Sequence, residues 1–310
     1  MTSVSVSLSP ASSIIPNKKI VVLDVDETIG YFVELGMFCD ALTATAWNDD
    51  ASAQYAHFNH LMDAFPEFLR PNILDLLRFL KLKKESNECC GVMVYTNNNG
   101  PRAWVEHIIK YMESKLGGHL FDQIVAAFKV NGKLIEMGRT THDKTYDDLM
   151  RCTKLPSNVE VCFLDDQMHS QMEHGHVYYI NVKPYVHQLS VQTLVDRFMQ
   201  SAVLRSTIAQ KSMAADVFRN RIAKIMQRFQ AAHVPKDPME QEIDAIISKK
   251  IMEHLNDFFN STNPQKQKQK QKQKQKQKYS LSNMQPNNTN TLKIKNNSHI
   301  SKTRTLKRKF

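Results

Sequence analysis

The chain predicts an α/β fold, an open and mostly parallel sheet with helices on both faces. Three features carry that expectation. Short, continuous apolar runs of strand length recur along residues 20–182, helix-period segments separate them, and several of the runs end abruptly in Asp, Thr or Asn. A strand covered on both faces has no need to alternate apolar with polar residues, so unbroken apolar runs are the mark of a parallel sheet. Strands alternating with helices then argue for the layered α/β architecture, in which chemistry sits beyond the carboxyl ends of the strands.

In chain order, residues 1–17 are Ser-rich and close on Pro16-Asn17, which reads as a flexible leader. The first strand is expected at 20–23 (IVVL). A helix is expected over 71–82, with Pro71 at its first position and Ile73, Leu76, Leu77 and Leu80 on one face. Residues 91–95 (GVMVY) read as the second strand, broken by Asn97-Asn98-Asn99-Gly100. Pro101 then opens a helix that buries Trp104, Val105, Ile108, Ile109, Met112 and Leu116 and stops at Gly117-Gly118. Further strands are expected at 123–130, 159–164 and 177–182, with helical or loop segments at 144–153 and 168–173.

Beyond Tyr185 the pattern turns helical, with Val217, Phe218, Ile222, Ile225, Met226 and Phe229 before the breaker at 233–238 and Ile243, Ile246, Ile247, Met252, Leu255 and Phe259 after it. A helical hairpin over 201–262 is expected, packed on the core or on another chain. Residues 263–310 hold a strict Gln-Lys alternation, an Asn-rich stretch and a basic end, too poor in apolar area to offset the entropy of ordering.

Charge divides along the same line. The whole chain carries +10, but residues 264–310 hold 14 Lys and Arg and no acidic residue, which leaves −4 on the rest. Any affinity for nucleic acid or another polyanion is therefore expected of the tail, where Lys302 to Lys309 read either as nuclear targeting or nucleic-acid tethering or as part of a solubilising disordered end. Five scattered cysteines, an odd number, suit a reducing compartment, and no stretch is long and apolar enough to span a bilayer. An intracellular protein, cytoplasmic or nuclear, is expected. The Lys- and Asn-rich low complexity is the composition of an AT-rich genome, such as that of a large DNA virus.

Candidate chemistry lies at the strand ends. Val22-Leu23-Asp24-Val25-Asp26-Glu27-Thr28 ends a buried run in two carboxylates at i and i+2, and Phe163-Leu164-Asp165-Asp166 repeats the device about 140 residues later. Buried charge needs compensation, and a divalent cation such as Mg²⁺, which takes carboxylate oxygens, water and phosphate, supplies it. Val94-Tyr95-Thr96-Asn97 ends a third strand in a hydroxyl and an amide just ahead of a helix N-terminus. Lys144, ahead of a further helix, can neutralise a phosphate. His169, His174 and His176 with Glu173 invite a zinc reading, yet their spacing fits no common zinc pattern. Cys89-Cys90 reads as a small buried pair.

The order of these pieces (Asp-x-Asp-x-Thr, Thr, Lys, Asp-Asp) resembles the haloacid dehalogenase superfamily. Within it, Val22 to Thr28, Phe68-Leu69-Arg70-Pro71 and Leu164-Asp165-Asp166 are most similar to the phosphatases of the RNA polymerase II C-terminal domain and the NLI-interacting-factor-like proteins. The resemblance covers residues 18–200 and implies a Rossmann-like, HAD-like sheet and an Mg²⁺-dependent phosphatase acting on phosphoserine or phosphothreonine protein. It makes Asp24 the nucleophile and Asp26 the general acid and base, with Thr28 completing the first motif. Thr96, Asn97 and Lys144 would bind the phosphoryl group, and Asp24, Asp26 (through its backbone carbonyl), Asp165 and Asp166 would bind the metal. Asp166 is the favoured direct ligand, leaving Asp165 to act through water or to orient Lys144. Small-molecule or nucleic-acid-end phosphoesters remain alternative substrates, and a non-catalytic scaffold an alternative role. Residues 30–69, with Phe32, Phe38, Trp47, Tyr55 and Phe58, depart from the family pattern and stand where the superfamily inserts lids; they read as a substrate wall or as a small satellite core.

Overall fold

A computed structural model describes residues 18–47, 51–208, 214–226 and 236–261, with the backbone alone at 51–54. The expected leader and basic tail, together with Phe229 and residues 233–235 of the breaker, lie outside the described residues. The chain runs through β1 (Lys19–Leu23), α1 (Val33–Thr45), α2 (Ala51–Ala64), α3 (Ile73–Glu85), β2 (Gly91–Tyr95) and α4 (Arg102–Leu116). It continues through β3 (Gln123–Val125), a small hairpin of β4 (Lys129–Val130) and β5 (Lys133–Leu134), α5 (Tyr146–Thr153), β6 (Glu160–Asp165) and β7 (Val177–Asn181). Four helices follow: α6 (Val191–Gln200), α7 (Ala202–Ser206), α8 (Ala215–Met226) and α9 (Pro238–Asn260).

The main sheet has five strands in the order β3-β2-β1-β6-β7, and every pairing in it is parallel. The apolar runs of β1, β2 and β6 are buried on both faces, as the unbroken sequences predict. Val21, Leu23, Val94, Cys162 and Leu164 join one large core with residues of α1, α3, α4, α6, α8 and α9. Ile20, Val22, Met93, Tyr95, Val161 and Phe163 point the other way, into a smaller core closed by Leu149 of α5. Period-two alternation thus survives in direction, though both directions are apolar.

Several local expectations need correction. Pro71 does not begin α3: Asn72 takes a left-handed conformation (φ 60°) and the helix starts at Ile73. The strand expected at 123–130 stops at Val125, and the chain turns through Ala126 to Phe128 into the β4–β5 hairpin. The physical signal for that hairpin is Asn131-Gly132, whose φ values of 50° and 79° suit the tight turn that matches strand twist. Of the cysteine pair, Cys89 is buried but Cys90 is exposed.

The aromatic residues of 30–69 form no separate satellite: Phe32, Phe38, Trp47 and Phe58 sit in the large core. Phe38 meets Phe65 and Phe198 edge-on, with ring centroids 6.0 and 5.9 Å apart. Gly30 is required where this segment leaves the first motif. A Cβ there would lie 2.6 Å from the Phe68 carbonyl oxygen and 2.4 Å from the Phe32 ring.

The last two helices pack on the core along different surfaces. Helix α8 lies on α1 and α6, with Phe218 stacked on Phe198 at 5.3 Å. Helix α9, capped by Asp237 with Pro238 at its first turn, lies against β7, where Tyr178 Oη and His254 Nδ1 are 2.9 Å apart. Its far end is clasped by Lys19 of β1, whose ammonium donates to the carbonyls of Phe258, Phe259 and Ser261 at 2.8, 2.9 and 2.8 Å.

Two predictions follow from this packing. Gly30→Ala should destabilise the protein by about 1–3 kcal/mol, because a backbone carbonyl has to move; an unchanged denaturation midpoint would show that the loop yields freely. The second concerns Glu34, buried on α1, which accepts the Leu189 N–H at 2.8 Å. Burial pushes its carboxyl up from 4.5 to about 7, partly countered by the Leu189 hydrogen bond. A carboxyl raised in the folded state gives its full stability below the unfolded value near 4.5 and loses it as pH climbs through about 7, on the order of 3 kcal/mol in all. Glu34→Gln keeps an acceptor and cannot ionise. Its stability relative to wild type should therefore rise between pH 5 and 7 and level off above; a difference constant with pH would contradict this.

Candidate active site

The sheet order reverses between β1 and β6: β2 and β3 extend to one side of β1, β6 and β7 to the other. Crevices at the carboxyl ends of strands open at such a reversal. Register decides what stands there. Leu23 pairs with Leu164, and the Asp24 N–H donates to the Leu164 carbonyl at 2.9 Å, so Asp24 and Asp165 leave the sheet at the same level. On the other side Leu23 pairs with Val94, which puts Thr96 just beyond that level.

Asp24, Asp165 and Asp166 are all buried, and each brings one carboxylate oxygen to within 4.8 Å of the others. Lys144, 2% exposed, enters from the loop before α5 and sits between two of them, 2.6 Å from Asp24 Oδ1 and 2.6 Å from Asp165 Oδ2. Thr145 caps α5 by accepting the Asp148 N–H at 3.0 Å, which fixes the direction from which the lysine approaches. Thr28 returns from the loop after β1 to donate to Asp166 Oδ1 at 3.0 Å and accepts the Asp166 N–H at the same distance. Asn181 Nδ2, at the end of β7, holds the carbonyls of Asp165 and Asp166 at 3.2 and 3.1 Å.

Asp26 stands apart from the three converging carboxylates. Its Oδ2 accepts Asn98 Nδ2 at 2.8 Å, and the Asn98 N–H donates to Thr96 Oγ1 at 3.0 Å. The amide that reaches this carboxylate is thus that of Asn98, next to the Asn97 expected at the phosphoryl group. Of the histidines, His169 approaches the cluster, with Nε2 3.6 Å from Asp165 Oδ2, whereas His174 stacks on Tyr146 at 3.8 Å. The three histidines of the zinc reading therefore do not act together.

Three residues outside the predicted site organise it. Arg70, 1% exposed, donates to the carbonyls of Thr28, Glu27 and Lys183 at 2.5, 2.8 and 2.9 Å and so braces the first motif's loop, in which Glu27 is left-handed (φ 59°). Arg139 donates to the carbonyls of Thr96, Ala126, His142 and Asp143 and lies 4.8 Å from the Tyr95 ring centroid. Asn98 is the third. An isolated Arg or Asn in a loop carries no periodic signal, although Arg70 stands in the Phe-Leu-Arg-Pro run the sequence singles out.

Electrostatics favour a cation. Burial pushes the Asp24 carboxyl up to about 8 against the opposing charge of Lys144. Burial likewise raises Asp166, against its Thr28 hydrogen bond. For Asp165 burial also acts upward, but the His169 hydrogen bond and Lys144 outweigh it and hold the carboxyl low. One lysine does not neutralise three buried carboxylates. All-oxygen donors in a tight cluster suit a hard cation, and Asp24, Asp165 and Asp166 are placed so that they could hold one.

No protein-family model, curated protein or solved structure matches the chain. Among the described residues, no helix is long and apolar enough to cross a membrane.

The surplus of carboxylates makes a prediction with two opposite readings from one variant. Asp166→Asn keeps an acceptor for Thr28 but removes a buried charge. Without divalent cation it should melt higher than wild type, by roughly 2–4 °C for about 1 kcal/mol. With millimolar Mg²⁺ or Mn²⁺ the wild type should gain stability and the variant should not. A cation response equal in the two proteins would remove Asp166 from the ligand set.

Proposed function

We propose that the chain is an Mg²⁺-dependent phosphatase of the haloacid dehalogenase type, working through an aspartyl-phosphate on Asp24. One observation carries this reading: Asp24, Thr96, Lys144 and the Asp165-Asp166 pair, scattered over some 140 residues, meet at the ends of three adjacent parallel strands and the loop above them. Those residue types meeting there are the parts phosphoryl transfer needs: a nucleophile, cation ligands and donors for the phosphoryl oxygens.

Each part has a place in the reaction. Asp24 attacks phosphorus as the carboxylate, the ester P–O bond breaks, and Asp26 gives its proton to the departing oxygen. Asp26, now ionised, takes a proton from water, which attacks the same phosphorus; the bond to Asp24 breaks and inorganic phosphate leaves. Lys144 spends two N–H groups on Asp24 and Asp165 and offers the third to a phosphoryl oxygen. Thr96 accepts from the Asn98 backbone, so its hydroxyl proton serves as a second donor. Asn98 holds Asp26 at the edge of the cluster, where it is less buried than Asp24, in keeping with a group that meets both leaving alcohol and water. Mg²⁺ bound by Asp24, Asp165 and Asp166 would neutralise the surplus carboxylate charge and stabilise the charge developing on the phosphoryl oxygens.

The substrate we favour is phosphoserine or phosphothreonine protein, on the likeness of the Asp24–Thr28 and Leu164–Asp166 motifs to the polymerase-tail phosphatases. The basic 264–310 tail, with its 14 positive charges, would hold the enzyme near polyanions.

Hydrolysis of para-nitrophenyl phosphate tests the reading. Turnover should require Mg²⁺, stop with EDTA, and fall by at least about 100-fold in Asp24→Asn. Para-nitrophenolate leaves without an acid, whereas the second displacement needs a base. Asp26→Asn should therefore release a burst of nitrophenol and accumulate a phosphoryl group on Asp24, seen by quench and mass spectrometry. Turnover that survives Asp24→Asn, or that needs no divalent cation, would overturn the mechanism.

A further inference from the structure

Beside the strand ends lies a cavity of about 280 Å³ that the reaction as described does not use. It begins at Thr96 and Asn98 and runs away from the carboxylates, between the first turn of α4 and the β4–β5 hairpin. Its walls are apolar: Val105 from α4, Ile124 and Ala127 from the segment around β3, and Val130 and Ile135 from the hairpin. Asn99 and Asn131 add amides, and Arg102, already paired with Glu106 at 3.0 Å, is the charged residue that lines it. Among the described residues no carboxylate lines it.

Position gives the cavity a role. Thr96 is the phosphoryl donor on its near wall, and Asn98, the next residue of that wall, holds the acid that protonates the leaving oxygen. On the phosphatase reading, a group attached to that oxygen would leave past Asp26 and Asn98, beside which this space opens. The hairpin wall is built to stay in place: Ile135 donates to Phe128 across it at 3.0 Å, and Arg139 ties the Ala126 carbonyl to that of Thr96. The walls are therefore preformed beside the reacting centre, in the manner of a ligand site.

We infer that this cavity is the leaving-group subsite, and that it selects phosphate esters whose alcohol or phenol carries an uncharged, apolar group. In a phosphoprotein that group is an apolar side chain neighbouring the phosphorylated residue. An ammonium group is disfavoured because the walls offer no carboxylate, and a second anion because most of the lining cannot replace its water. The inference rests on the phosphatase reading, since it takes Thr96 and Asp26 as the phosphoryl and leaving-group sides of the site.

Binding of non-hydrolysable phosphonates, measured by thermal shift and calorimetry with Mg²⁺, separates the two. Methylphosphonate reports the phosphoryl site alone. Phenylphosphonate adds a ring of the size and polarity that the cavity accepts and should bind roughly ten- to a hundredfold more tightly. Ala126→Leu and Val130→Phe, two partly exposed positions that line the cavity, each narrow it without touching the carboxylates. Either, if folded, should erase the phenyl preference and leave methylphosphonate affinity unchanged. Equal affinity of the two phosphonates for wild type, or a preference that persists in the folded variants, overturns the subsite while leaving the phosphatase reading intact. Failure of methylphosphonate to bind wild type removes the phosphoryl site itself, and both readings go with it.

Discussion

Everything at the candidate site depends on the ammonium of Lys144 held 2.6 Å from each of two buried carboxylates. Placing Asp24, Asp165 and Asp166 beyond the ends of adjacent strands removes three carboxyl groups from bulk water, and burial by itself drives them towards protonation. Lys144 offsets part of that penalty, and its own charge is in turn held by the acids around it, against the desolvation that would otherwise lower it. What remains is a deficit of positive charge in a tight oxygen cage. On the phosphatase reading, a cation and a phosphoryl group bound side by side would offset that deficit.

The rest of the molecule can be understood as holding that cluster still. Parallel pairing of β1 with β6 sets the level of Asp24 against Asp165, and Thr28 and Asn181 then fix the orientation of the Asp165-Asp166 turn from either side. Arg70 braces the loop of the first motif from beneath. Its guanidinium reaches three backbone carbonyls and lies 5.4 Å from the Tyr185 ring centroid, so the segment after β7 and the loop after β1 share one anchor. The helices after residue 190 bear on the same frame. Helix α9 is locked to the amino end of β1 by Lys19 and to β7 by the Tyr178–His254 contact, and so buttresses the strands that present the acids.

How legible the molecule was in its sequence follows from what kind of signal each feature leaves. The strands β1, β2 and β6 announce themselves because burial on both faces writes an unbroken apolar run, and the Asp-rich ends of β1 and β6 stand out against it. Lys144 and Thr96 are ordinary surface types in isolation and gain meaning only from their order along the chain. Lys144 turns out among the most deeply buried charged groups because the sheet brings two acids to it. The β4–β5 hairpin was lost because 123–130 reads as one strand, and only Asn131-Gly132, with its two positive φ angles, marks the reversal. The contact of Asn98 with Asp26 left no mark in the sequence, because three consecutive asparagines give no periodicity that singles one of them out. Residues 30–69 depart from the family pattern yet pack as core. Their aromatic side chains were visible, but composition does not say which core receives them.

Arg139 ties the candidate site to the wall of the cavity beside it. A guanidinium presents a planar, rigid fork of donors, so it suits a fixed cross-link better than a lysine would. Here the fork spans the end of β2 at Thr96, the turn after β3 at Ala126 and the loop that delivers Lys144, while its plane rests near Tyr95. The turn at Ala126, the end of β2 and the loop that carries Lys144 are thereby fixed to one another through one side chain. On the phosphatase reading this backbone cross-link holds Thr96 and Lys144 in place independently of the side chains that line the cavity.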